Sequence, residues 1–191
     1  MAAKFLDKIE IPSDRFEMRL SGSGGQGMIF ASVVLSKAIG MVGSKKVVQS
    51  QSYGPEARGG ASKADVVVSD NEIFYPKAMN LDLLLAMTQE ALDKYYPDLK
   101  KGGTLIIDST LIDDVPTDDY YALEFTRIAR EEVGHIMVAN VVALGAIVAI
   151  TDFVSKERLV EVVLEHAPRG TEDKNRKAVE IGFNEALKLK K

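Results

Sequence analysis

The sequence predicts an α/β domain of three layers, in which a mostly parallel β-sheet lies between two layers of helices. Short apolar segments alternate with longer segments whose apolar residues recur at helical spacing. One short segment, Leu81 to Ala86, is apolar nearly throughout, as expected for a strand with both faces covered. Near the N-terminus, a strand pattern is followed directly by a glycine-rich turn and a helix pattern. This order is typical of parallel βαβ units.

The first half of the chain supplies most of the predicted strands. Alternating apolar residues predict a strand from Phe16 to Leu20, and helical spacing predicts a helix from Met28 to Val42. A short helix from Gln89 is stopped after Tyr96 by Pro97. Runs of apolar and β-branched residues predict the other strands, which are Lys46–Ser50, Ala64–Ser69, Leu81–Ala86 and, behind a Gly102-Gly103 turn, Thr104–Asp108.

The last third is mostly helical and should cover one face of the sheet. Its predicted elements are a weaker strand Tyr121–Phe125, a helix from a Thr126 cap to Val133, an apolar helix Val141–Ile150, a helix from a Ser155 cap to His166, and a terminal helix of about Glu172–Lys188. Asn140 is interpreted as the cap of the apolar helix rather than as a ligand contact. Small residues in that helix (Ala143, Gly145, Ala146, Ala149) should let another helix or a subunit approach closely.

Composition narrows the function classes. With 191 residues, 46% hydrophobic and 27% charged, the chain should form one folded domain over 1–191, with residues 1–14 as an N-terminal arm. A net charge of -4 argues against a nucleic-acid binder. The absence of cysteine excludes disulfides and cysteine-ligated iron–sulfur clusters in this chain.

Location is predicted from two segments. Met1 to Ser13 lacks the apolar core of a signal peptide. Val141 to Ile150 is too short to cross a bilayer, which takes about 20 residues. We therefore expect a cytoplasmic protein that binds no membrane.

A glycine-rich turn, Gly22-Ser23-Gly24-Gly25-Gln26-Gly27, fits the G-x-G-x-x-G pattern between a strand and a helix. Such glycines allow positive φ and close backbone approach, and a helix N-terminus offers N–H groups to an anion. A dinucleotide site also needs an acidic residue roughly 20 positions on, for the ribose. Gln49, at 49 − 27 = 22 residues past the last glycine, stands there instead. This disfavours an NAD site and leaves a phosphate-binding turn or a packing turn.

A second loop, Gln51 to Gly60, precedes the strand Ala64–Ser69 and is too polar and glycine-rich for a core element. Arg58 offers a planar fork of donors to a carboxylate or phosphate, and Gly59 and Gly60 let backbone N–H groups face an anion. Alternatively, Arg58 forms an ion pair with Glu56, and Tyr53 packs at a subunit interface.

Four segments together are similar to one family. They are Ser21–Val42 with its glycine turn, Ser52–Gly60 (Ser-Tyr-Gly-Pro-Glu-Ala-Arg-Gly-Gly), Val67–Asp70, and Val138–Ala146. They resemble the gamma subunit of 2-oxoacid:ferredoxin oxidoreductases, over roughly Arg19 to Phe183 and with the 2-oxoglutarate type as the nearest relative. The resemblance implies the α/β/α fold of the gamma domain of pyruvate:ferredoxin oxidoreductase.

The resemblance also implies a reaction and a set of partners. The complex would decarboxylate a 2-oxoacid oxidatively with coenzyme A, giving acyl-CoA, carbon dioxide and reduced ferredoxin. Thiamine diphosphate, Mg and iron–sulfur clusters would lie in partners, namely alpha and beta subunits and a ferredoxin-like delta subunit. This chain would be inactive alone and help to bind coenzyme A. The candidate contacts are Gly22, Gly24, Gly25, Gln26, Gly27, Tyr53, Glu56, Arg58, Gly59 and Gly60.

Two other functions remain open from the sequence. The glycine turn could serve a standalone nucleotide-binding oxidoreductase, although no convincing catalytic acid–base pair accompanies it. The chain could also be a scaffold subunit that holds partners and touches no ligand.

Overall fold

The computed structural model describes residues 14–51 and 60–189. The strands are β1 (Phe16–Ser23), β2 (Lys46–Gln51), β3 (Ala61–Ser69), β4 (Leu81–Ala86), β5 (Leu99–Asp108) and β6 (Tyr121–Leu123). The α-helices are α1 (Met28–Gly40), α2 (Gln89–Tyr95), α3 (Phe125–Arg127), α4 (Ala139–Thr151), α5 (Lys156–His166) and α6 (Glu172–Lys188). A π-helical turn, Ile128–Val133, continues α3, and short 3-10 segments occupy Tyr96–Asp98 and Ile136–Val138. The predicted arm lies outside the described residues, apart from Asp14.

The six strands form one sheet in the order β2-β3-β1-β4-β5-β6. Parallel ladders join β1 to β4, β4 to β5 and β5 to β6. Strand β3 is antiparallel to both β1 and β2, so β2 runs in the same direction as β1 without touching it. The prediction of a mostly parallel sheet is therefore confirmed, with β3 as the exception.

Helices α1, α4, α5 and α6 cover one face of the sheet, where they bury Met18 and Leu20 of β1 together with Val66 of β3. The predicted position of the helical last third is thus confirmed. The other face has a thinner cover made of α2 and the connection after β5, packed on Val67 and Leu84. Alternate residues of each strand face opposite layers, because side chains alternate along a strand.

Charged residues are buried under the thinner layer. The Arg19 guanidinium donates to both Asp65 oxygens, at 2.7 and 3.1 Å, and also pairs with Asp98. Burial opposes its charged form, but hydrogen bonds and charge from Asp65, then Asp98, outweigh it and raise the pKa of Arg19. Because Asp65 lies on β3 and Asp98 precedes β5, one side chain connects three parts of the fold.

Helices α4 and α6 cross at two glycines. A Cβ on Gly182 would lie 1.9 Å from the Val142 carbonyl oxygen, and a Cβ on Gly145 would lie 2.3 Å from that of Val179. The predicted close approach along α4 is therefore confirmed, and α6 of the same chain is a neighbour that uses it.

Several predicted boundaries were wrong. Strand β3 begins at Ala61 rather than Ala64, and β5 runs through Gly102-Gly103, where the pairing with β4 shifts register. Thr126 is not a helix cap, because Glu124 holds that position. Its backbone N–H and hydroxyl both donate to the buried Asp108 carboxylate instead, at 3.1 and 2.5 Å. Thr126 therefore bonds to a residue 18 positions away in the sequence, whereas the sequence pattern predicted a local helix cap.

Candidate functional site

The glycine turn at the end of β1 is closed by one of its own side chains. The side-chain amide oxygen of Gln26 (Oε1) accepts a hydrogen bond from the Ser23 backbone N–H at 2.8 Å. The backbone N–H of Gln26 donates to the Ser23 backbone carbonyl at 3.2 Å. A Cβ on Gly22 would lie 2.4 Å from Gln26 Oε1, so the folded side chain requires glycine there. The turn is therefore a preformed loop, because the side-chain oxygen and the backbone N–H of Gln26 both form hydrogen bonds that close it.

Helix α1 begins directly after this turn. Its N-cap residue is Gly27, at φ 73°, and no side chain of the described residues caps the helix. The first turn of α1 also contains no acidic residue. The N–H groups of a first helical turn lack intrahelical partners and carry partial positive charge. This end of α1 is therefore suited to an anion.

Asn140 ties the turn to helix α4. Its Nδ2 donates to the Gly27 carbonyl at 3.0 Å, across 113 residues of sequence. The residue is buried, and Val138 rather than Asn140 is the N-cap of α4. The interpretation of Asn140 as a cap was therefore wrong. Sequence reasoning missed its real contact because no local pattern marks a side chain that bonds to a distant backbone carbonyl.

The ends of the second loop lie beside the glycine turn. Ala61, the first residue of β3, pairs with Ser23, the last residue of β1, and the Ser62 hydroxyl donates to the Gly22 carbonyl at 3.3 Å. On the other side, Gln51 ends β2 at the same edge of the sheet. The structure thus brings Gly60 close to Gly22–Gly27. The predicted contacts Tyr53, Glu56, Arg58 and Gly59 lie outside the described residues.

The start of β3 is also bonded to helix α2. The Tyr95 hydroxyl donates to the Ala61 carbonyl at 2.9 Å, and Glu90 accepts from the Ala61 N–H at 3.3 Å. Both side chains belong to α2, which covers the thinner face. This end of the loop consequently has a fixed position relative to the glycine turn.

The dinucleotide alternative loses support from two observations. Gln49 Nε2 donates to the Ser32 hydroxyl of α1 at 3.0 Å, so the amide at the ribose position is engaged inside the fold. Strand β3 separates β2 from β1, which places Gln49 one strand farther from the turn than in the adjacent parallel arrangement. Neither feature suits a ribose clamp.

Known proteins resemble this chain in sequence and fold. The family model described as pyruvate ferredoxin/flavodoxin oxidoreductase matches residues 17–185. The chain belongs to this family. It is 48% identical to the 2-oxoglutarate synthase subunit KorC of Methanocaldococcus jannaschii over 179 residues, covering 92% of this chain and 96% of that one.

Solved structures of family members have the same fold. The gamma subunit of a keto/oxoacid ferredoxin oxidoreductase from Geobacter sulfurreducens superposes with a TM-score of 0.84 at 47% identity, covering 93% of this chain and 99% of that one. The 2-oxoglutarate:ferredoxin oxidoreductase of Magnetococcus marinus, solved with 2-oxoglutarate, coenzyme A and succinyl-CoA bound, gives a TM-score of 0.76 at 20% identity. That match covers 94% of this chain but only 31% of the longer one, and it shows likeness of fold alone.

The prediction that no segment crosses a membrane concerns the helices of the chain. In the part of the chain that the structure describes, no helix has both the length and the apolar character to cross a bilayer.

Proposed function

We propose that this chain is the gamma-type subunit of a 2-oxoglutarate:ferredoxin oxidoreductase and that its glycine turn contacts coenzyme A. The observation that carries the proposal is the uncapped N-terminus of α1, behind a preformed turn and next to the second loop. The complex would convert a 2-oxoacid and coenzyme A to acyl-CoA and carbon dioxide, passing the electrons to ferredoxin. The subunit names of the relatives support 2-oxoglutarate as the substrate.

Coenzyme A suits the turn because its phosphates are acceptors and the turn offers donors. A Cβ on Gly25 would meet no heavy atom within 4 Å, so the backbone is open to a ligand there. Under this proposal Gly22 shapes the turn, and Gly24, Gly25 and Gly27 bring the backbone close to the phosphates. Tyr53, Glu56, Arg58, Gly59 and Gly60 stay predictions as further contacts, as does the alternative ion pair of Arg58 with Glu56.

The remaining cofactors would reside in partner subunits. With no cysteine among its 191 residues, this chain cannot ligate an iron–sulfur cluster through thiolates. The proposal therefore assigns the clusters, thiamine diphosphate and Mg to alpha, beta and ferredoxin-like delta subunits, with ferredoxin as acceptor. It also makes this chain inactive alone and places the complex in the cytoplasm.

Exposed apolar residues support an assembly. Ile29 is the second residue of α1, two positions after Gly27, and Ile136 and Met137 lie in the 3-10 segment that precedes α4; Met137 is 61% exposed. A second group, Phe74 with Tyr75, lies in the β3–β4 connection at the opposite edge of the sheet, and Phe74 is 93% exposed. Contiguous exposed apolar surface is typical of protein–protein contacts. These surfaces also favour the second candidate function, a scaffold subunit that touches no ligand.

A substitution in the turn separates the two functions. In the co-purified complex, Gly25→Asp places a carboxylate where the phosphates would bind, and aspartate tolerates the left-handed φ of 92°. We expect the KM for coenzyme A to rise about tenfold or more, since one like-charge contact outweighs 1.4 kcal/mol. The release of carbon dioxide from 2-oxoglutarate in a single turnover without coenzyme A should proceed at the wild-type rate.

Gly43→Asp is the matched control. Gly43 also has a positive φ, 78°, and open space around it, but it follows the C-terminal end of α1. It should leave the KM for coenzyme A unchanged. Equal KM values for wild type and Gly25→Asp would contradict the ligand contact and favour the scaffold function. A panel of 2-oxoacids, assayed with a viologen dye, would test the substrate.

A further inference from the structure

One buried polar atom beside the glycine turn has no hydrogen-bond partner among the residues that the structure describes. Asn140 is 5% exposed, and its Nδ2 donates to Gly27, but its Oδ1 accepts no hydrogen bond from any described residue. Buried side-chain oxygens are hydrogen-bonded in the large majority of cases, so an exception requires an explanation. Asn175, equally buried at 4%, occupies a comparable position in the first turn of α6 and donates to two Thr171 oxygens.

The orientation of the Asn140 amide is fixed by its neighbour. The Gly27 carbonyl can only accept, so the NH2 group of Asn140 must face it at 3.0 Å. A flipped amide would place two acceptors against each other. The unpartnered atom is therefore the carbonyl oxygen, and it requires a donor, either N–H or O–H.

Donor and acceptor groups thus meet at one place. The first turn of α1 supplies N–H donors for an anion, and Gly27 connects it directly to the acceptor of Asn140. Phosphates and carboxylates cannot satisfy Asn140 Oδ1, because in ionised form they carry acceptors only. A ligand that uses both features must combine an anionic group with an N–H or O–H group.

Coenzyme A combines these groups in a suitable shape. Its nucleotide carries the phosphates, and its pantetheine arm is a thin chain with amide N–H and hydroxyl groups. Oδ1 itself exposes less than 1 Å², so a narrow chain, which displaces fewer neighbouring atoms than a ring system, suits the site, and the open space at Gly25 gives it an approach. We propose that Asn140 Oδ1 accepts a hydrogen bond from the pantetheine arm, which makes Asn140 a residue that selects for the arm. This inference rests on the proposed function.

The test compares two ligands on the assembled complex. Dissociation constants are measured by calorimetry for coenzyme A and for adenosine 3′,5′-bisphosphate, its nucleotide portion without the arm. In Asn140→Ala, we expect coenzyme A to bind about tenfold more weakly, the effect of one lost hydrogen bond. The bisphosphate should weaken several-fold less than coenzyme A, because it shares only the effect of losing the tether to Gly27. Loss of the tether to Gly27 would alter the turn for both ligands, so the ratio of the two changes isolates the arm.

Asn175→Ala is the matched control, because it removes a buried asparagine of similar exposure far from the turn in sequence. It should leave both dissociation constants unchanged, and thermal unfolding should show that both variants remain folded. Equal weakening of both ligands would overturn the inference, since Asn140 would then act only by positioning the turn. Unchanged binding of coenzyme A in Asn140→Ala would also overturn it. Failure of the proposed function gives a different result: the wild-type complex would then bind coenzyme A no differently from Gly25→Asp.

Discussion

Alanine substitutions at Gly25 and Gly27 test how the glycine turn is held. The two positions have similar left-handed backbones, with φ 92° and 73°. Their surroundings differ, because a Cβ on Gly25 meets no heavy atom within 4 Å, whereas one on Gly27 lies 2.4 Å from Asn140 Nδ2. Gly25→Ala therefore measures backbone strain alone, and Gly27→Ala measures strain plus the loss of the Asn140 contact.

The expected destabilisation follows from these two costs. An L-residue in the left-handed region costs about 1–2 kcal/mol, so Gly25→Ala should lower the free energy of unfolding by roughly 1 kcal/mol, once alanine's smaller unfolded-state entropy is included. In Gly27→Ala the new methyl group must displace the Asn140 amide, which leaves a buried polar group unpaired at about 1–3 kcal/mol. We expect a total of about 2–4 kcal/mol for Gly27→Ala.

Urea unfolding of the purified chain, followed by circular dichroism, gives both free energies by linear extrapolation. A double-mutant cycle sharpens the assignment: in an Asn140→Ala background, Gly27→Ala should cost no more than Gly25→Ala. If Gly25→Ala destabilises as much as Gly27→Ala in the wild-type background, the Asn140 tether does not hold the turn.

Two further pairs of substitutions test the packing and the buried charges by the same unfolding assay. Gly182→Ala places a methyl group 1.9 Å from the position of the Val142 carbonyl oxygen and should cost about 3 kcal/mol or more. Gly40→Ala, whose Cβ would meet nothing within 4 Å, should be neutral or stabilising, and a similar loss in both would refute the close crossing of α4 and α6. Arg19→Met should cost about 3–5 kcal/mol, because it leaves the buried Asp65 carboxylate unpaired. Arg158→Met, which breaks an exposed pair, should change stability by less than about 1 kcal/mol, and equal effects of the two arginines would refute the buried network.

Local sequence determined most of the secondary structure of this protein. Helix α6 has the predicted bounds Glu172–Lys188, and the Ser155 side chain caps α5 as predicted, accepting from the Arg158 N–H at 3.2 Å. The glycine turn was also identified from sequence as the link between β1 and α1. These features depend on residues within a few positions of each other, so periodicity, caps and glycines suffice to predict them.

Tertiary structure alone decided how these elements meet. The insertion of an antiparallel β3 between β1 and β2 cannot be predicted from strand patterns, because the apolar character of a strand does not specify its neighbour or its direction. The partners of Thr126 and Asn140 are equally non-local, at 18 and 113 residues of separation. In both, a side chain that favours capping in isolation bonds to a distant group brought close by folding. The site beside Gly27 exists for this physical reason: chain folding brings a buried amide of α4 against an uncapped helix end.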